Sequence, residues 1–140
     1  MAEVYLEACI KRHLLDDPYL ASKLGDDAVY FSVLPQDANF SAIVISEISG
    51  FDPSPTHDGH SGIEKREFQF TIFATCVLKL VEIRVRLEKY LDSKAVEVGA
   101  PDGVWCGRIA KTGQRDMGQN PGRTLYMYSM DFQFWEKVQR

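Results

Sequence analysis

The chain has 140 residues, 45% of them hydrophobic and 26% charged, which is the composition of an ordinary globular protein rather than a disordered one. That length buries a normal core without disulfide or metal staples. A formal net charge of −4 argues against a protein that grips nucleic acid by neutralising phosphates.

The charge is unevenly placed. Residues 1–50 hold eight acids and three bases, a net of −5; residues 101–140 hold four acids and six bases, a net of +2. In a ring, where unlike surfaces of neighbours meet, such asymmetry helps select the partner. Cys9, Cys76 and Cys106 are odd in number, widely spaced and free of any C-x-x-C pair, so they read as reduced, buried thiols of a cytosolic product. The opening MAEVYLEACIKRH has acids where an export signal has bases, and no stretch has the length and apolarity to cross a bilayer. Without repeats, low-complexity tracts or linkers, the expectation is one domain over 1–140.

In chain order, residues 2–15 are expected to be helical, with Leu6, Cys9, Ile10, His13 and Leu14 along one side. His13 falls inside that apolar arc and reads as a packed histidine bonded to a neighbouring group, not a ligand. Asp17-Pro18 supplies an N-cap and a first-turn proline for a short helix ending near Gly25. Val29–Leu34 and the β-branched Ala42–Ile48 read as strands. In Arg66–Ala74, Phe68, Phe70, Ile72 and Ala74 point one way while Glu67, Gln69 and Thr71 point the other. The simplest geometry pairs these last two runs antiparallel through a long loop.

Residues 76–93 form a long helix in which Lys79, Glu82, Arg86, Lys89 and Ser93 make one solvated stripe. A second polar line, Arg84, Glu88 and Asp92, separates Leu80, Ile83, Leu87 and Leu91 from Leu78, Val81 and Val85. Such a helix is contacted on two sides, either by its own sheet and first helix or by a neighbouring subunit. Two strands close the chain, Val104–Lys111 and Thr124–Trp135, joined by the loop TGQRDMGQNPGR. Tyr126, Tyr128, Met130, Phe132 and Phe134 share the face that covers the core. The expected fold is α+β: a mainly antiparallel sheet of about five strands, with one long and one N-terminal helix packed on one face.

The stretch FDPSPTHDGHSG, Phe51–Gly62, crowds His57 and His60 around Asp58 with Asp52 nearby. Its prolines and glycines make preorganised metal ligation costly, and no second His or Cys cluster completes four ligands. It reads as a solvated hairpin arm. There is no nucleophile elbow, no phosphate-binding glycine loop and no cysteine in an activating setting. Asp16-Asp17 and Asp26-Asp27 sit beside turns and read as solvated surface acids. The aromatic final strand has no interleaved basic residues and reads as core rather than a base-stacking platform. No catalytic, cofactor-binding or metal-binding residue is assigned, and no enzyme is expected.

In the order and character of its runs the chain resembles the tail-completion or tail-terminator (head–tail joining) proteins of long-tailed bacteriophages, also found in gene transfer agents. The resemblance rests on VYLEACIKRHLL, DPYLASKLG, VYFSVLPQ, AIVISEIS, REFQFTIFAT and VLKLVEIRVRLEKYL, and covers residues 1–95 best. It implies a structural virion subunit, made in the host bacterial cytoplasm, forming a closed ring that is commonly a hexamer. Such a ring caps the head-proximal end of the tail tube and meets the tube protein and the head connector. DNA passes through its lumen without specific binding, and no membrane or cofactor is involved. On that reading the contact residues are Phe51, Asp52, His57, Asp58, His60, Arg84, Glu88, Arg115, Asp116 and Arg123, with Arg115 and Arg123 facing acids near Asp16 or Asp26 of a neighbour. The alternatives are a dimeric α+β module holding an apolar ligand between sheet and helix, or a metal-dependent enzyme centred on His57 and His60.

Overall fold

The structure is a computed structural model that describes residues 5–35, 39–51, 63–100, 103–119 and 125–137. Among the described residues nine elements follow one another: α1 (Leu6–Leu15), α2 (Pro18–Lys23), β1 (Val29–Phe31), β2 (Ala42–Phe51), β3 (Ile63–Ala74), α3 (Val77–Leu91), β4 (Lys94–Val98), β5 (Val104–Gln119) and β6 (Tyr126–Lys137). The strands form one sheet in the order β1-β2-β3-β6-β5-β4. Only β1 and β2 run parallel, and every other neighbouring pair is antiparallel.

The α+β architecture and the β2–β3 hairpin agree with the sequence, but the sheet has six strands rather than five. The additional strand is β4, KAVEV, directly after α3. Its mixed polar composition carries little strand signal, and it exists because β5 offers an edge to pair with. Ser93 makes the corner with a left-handed φ of 62°, and its amide donates to the Ile109 carbonyl at 2.7 Å.

The second correction concerns the stretch expected to be a loop after Lys111. β5 continues to Gln119, laddered on β6 as far as Gln119↔Tyr126. Glycine and glutamine have weak strand preference, yet register shifts at Lys111/Gly113 and Asp116/Gly118 absorb the misfit as bulges. Gly118 takes the positive φ of 73°, and its amide donates to Asp116 Oδ1 at 2.9 Å.

The core lies between the sheet and the helices, as the alternation of β3 and β6 requires. Phe68, Phe70, Ile72, Met130, Phe132 and Phe134 are buried beneath Leu6, Ile10 and Leu14 of α1 and Leu80, Ile83, Leu87 and Leu91 of α3. Phe68 and Phe134 meet edge to face at 5.7 Å, as do Phe70 and Phe132 at 5.4 Å. Each such ring, fully buried, contributes roughly 1.5–3 kcal/mol by transfer from water. Val44, Phe73 and Leu125 form a smaller cluster against Tyr30, Leu34 and Met127. Alternation along β2, β3 and β6 places it on the opposite face of the sheet.

Of the three free cysteines, Cys9 and Cys106 are buried as expected, but Cys76 is exposed, because it precedes α3 outside the core. Burial pushes the Cys106 thiol up to about 12, leaving it protonated and inert.

Candidate interaction surfaces

α3 decides which surfaces are available. Its core face is Leu80, Ile83, Leu87 and Leu91. One flank, expected to be solvated, is covered by α2. Asp17, only 3% exposed, accepts from Arg86 Nε at 2.7 Å and Arg86 Nη2 at 2.8 Å. Tyr19 donates to Glu82 at 3.1 Å, and Lys23 pairs with Glu82 at 2.8 Å. Asp17 is thus a buried, paired carboxylate rather than a solvated surface acid. The Arg86 hydrogen bonds hold its carboxyl below the ordinary range, against the opposing effect of burial.

The polar line on the other flank turns inward to the sheet. Arg84 lies 4.9 Å from the centre of the Tyr128 ring. Glu88 pairs with Lys111, and Asp92 accepts the Lys111 amide at 2.9 Å. Beside this line Val77, Leu78, Val81 and Val85 remain 55%, 69%, 39% and 36% exposed. This apolar stripe has no cover among the described residues. Further exposed apolar side chains lie at the β1/β2 edge: Phe31 at 37%, Val33 at 72% and Ile48 at 49%.

α1 is locked to the turn after β4. His13 stacks on Tyr90 with ring centres 4.7 Å apart, and Tyr90 donates to the His13 carbonyl at 3.0 Å. The Gly99 amide lies 3.4 Å from His13 Nδ1, while Arg12 donates to the Gly99 carbonyl. The packed-histidine reading therefore holds. Burial pushes His13 below its ordinary pKa, and Asp16 and Asp17 pull the other way.

At the far end of the core, Arg66 gathers carboxylates from three strands and a helix. Glu7 pairs with its guanidinium, Glu47 lies at 2.7 Å, Glu136 at 3.6 Å and Glu64 at 4.0 Å. Burial raises the Glu47 and Glu136 carboxyls above their ordinary range. The guanidinium occupies the place a cation would take. Among the described residues no group of three His, Cys, Asp or Glu side chains is arranged to hold a metal ion. On the opposite face of the sheet, Trp135 is flanked by Lys65 at 5.4 Å and Arg108 at 5.9 Å from its ring centre.

The residues singled out from the sequence do not converge on one site. Asp52, His57, Asp58, His60 and Arg123 lie outside the described residues. Phe51 ends β2 opposite Lys65. Arg84 and Glu88 make the intramolecular contacts just given. Arg115 and Asp116 sit on β5, not in a loop, opposite Ser129 and Tyr128. The exposed Phe31, Val33 and Ile48 are marked by nothing in the sequence. An apolar residue inside a strand run carries no mark in sequence that its strand is an edge.

No family model matches the sequence, and no curated protein matches it. The fold is shared with a chain of a solved structure described as the virion of a native gene transfer agent particle. The TM-score is 0.67 at 12% sequence identity, over 94% of each chain. At that identity the likeness is one of fold.

Proposed function

We propose that this chain is a structural virion protein without enzymatic activity. Its copies form a ring, commonly hexameric in proteins of this kind, that ends the tail tube at its head-proximal end and joins the head connector. The observation that carries the reading is the fold shared over 94% of the chain with a component of a gene transfer agent particle. The expectation of the same class from the order of sequence runs supports it independently. The subunit acts as one domain placed at the head–tail interface after assembly in the host cytoplasm, with DNA passing the lumen unbound. The 51–62 and 113–123 segments are its contacts to tube, connector or neighbour, and Arg84 and Glu88 border the contact on α3.

The test is genetic and visual. Deleting the gene in the producing strain should give tails of uncontrolled length unattached to heads, and labelled chain should appear at the head–tail junction by electron microscopy. Normal joined tails in its absence would sink the reading.

A further inference from the structure

The two outer edges of the sheet are stepped, and the steps match. β4 covers β5 only from Val104 to Ile109, and the Asp92 carboxylate, just before β4 begins, takes the amide of Lys111. From Thr112 to Gln119 the outer edge of β5 carries no strand among the described residues. At the opposite edge, β1 covers β2 only from Ile43 to Ile45, and among the described residues no strand lies beside Ser46–Phe51. Following the register across the sheet, Gln114–Gln119 of β5 lies level with β6 Tyr126–Met130, β3 Phe70–Ala74, β2 Ala42–Ile45 and then β1. One edge is therefore recessed at the level where the other protrudes.

We propose that β1 of a second copy of this chain fills the recess beside β5, joining the copies head to tail. β1 runs parallel to β2, which is antiparallel to β3, and β3 runs in the same direction as β5. An incoming β1 in a sheet of the same orientation thus meets β5 antiparallel, the pairing used by β5 and β6. The bulges at Lys111/Gly113 and Asp116/Gly118 blunt the rest of this edge and leave Gly113–Asp116 as the regular stretch that accepts a strand.

The apolar surfaces coincide with the steps. Arg84 over Tyr128 places the first half of α3 above the recess, so the stripe Val77, Leu78, Val81 and Val85 looks over it. Phe31 shares the face of Val29, which packs into the core under the helices. In the incoming copy Phe31 comes to lie on that stripe, and Val33, just past the left-handed turn at Ser32 and 72% exposed, borders the contact. Because the two surfaces differ, the contact is heterologous, which closes into a ring or runs on as a filament. The inference rests on the ring reading above, to which it supplies the joint.

The experiment uses two variants of the full chain at highly exposed positions, Leu78→Asp and Val33→Asp, with circular dichroism confirming that both fold. Sedimentation over a wide concentration range should show wild-type chain associating and each variant alone monomeric. An equimolar mixture should give a one-to-one dimer and nothing larger, since each variant retains the surface the other lacks. Wild-type chain monomeric throughout, either variant associating alone, or a monomeric mixture overturns the inference. Chain that associates as described but is absent from particles overturns only the virion reading. A ring present in particles built from either variant overturns only the inference.

Discussion

Gly99 shows how one residue fixes the contact between α1 and the sheet. It sits at φ +76° between Arg12 and His13, and an added Cβ would come 2.9 Å from the backbone and Cβ of Cys9. Gly99→Ala combines left-handed strain with overpacking against a helix backbone, and should lower stability by about 2 kcal/mol or more in urea unfolding. The Asp17–Arg86 pair is asymmetric, the carboxylate 3% exposed and the arginine side chain 40%. Arg86→Ala leaves a buried carboxylate without its guanidinium, whereas Asp17→Ala returns an arginine to water. The first should cost about 2 kcal/mol, below the range for fully buried pairs because solvent reaches the arginine, and the second about 1 kcal/mol. Denaturant titration of both variants checks the order. His13 has a folded pKa below its unfolded value, so its contribution is complete above the ordinary histidine value of about 6.5 and is lost as pH falls through the folded value. Relative to His13→Gln, wild-type protein should therefore lose stability as pH falls from about 7 to about 5; parallel melting curves across that range would reject this. His13 was legible in the sequence because it interrupts an apolar arc. Asp17 was not, because the partner that buries it lies 69 positions away.

At the scale of elements, the corner between α3 and β4 is made by a serine in a conformation that suits glycine. Ser93→Gly should raise stability by about 1 kcal/mol, measured as an increase in Tm, since it removes left-handed strain at an exposed residue just past the helix end. That same corner hid β4 from the sequence: the expected helix ends at residue 93, and KAVEV, short and half polar, is assigned no element of its own. Strands β2, β3 and β6 were legible because each buries one face, and the alternation of Phe68, Phe70, Phe132 and Phe134 records it. The outer half of β5 buries neither face, so Gln114–Gln119 carries no alternation to read. Its strand state is set by β6, whose own pattern is strong. Both polar lines of α3 were visible as periodicities, but not what they meet. α2 takes one and β5 and β6 the other, leaving Val77, Leu78, Val81 and Val85 as the uncovered side.

At the scale of the whole molecule, the charge asymmetry becomes a property of edges. Asp26 and Asp27 precede one outer strand, and the arm beside the other carries Arg115 and Asp116, with Lys111 already paired to Glu88. The register of the joint brings Asp27 level with Gly118, beside Asp116, so raising salt from about 0.05 to about 0.5 M should not slow association, which the apolar contact carries. Stopped-flow light scattering reads that rate, and a marked slowing with salt would overturn this placement of the charges. The sequence by itself determined the α+β class, the helices, the core-facing residues and the uneven charge, because these follow from local periodicity and composition. Only the tertiary structure decided the six-stranded order, the stepped edges and the burial of Asp17. Each of these depends on which distant segments lie side by side, and a strand carries no record in its own residues of whether a neighbour covers its edge.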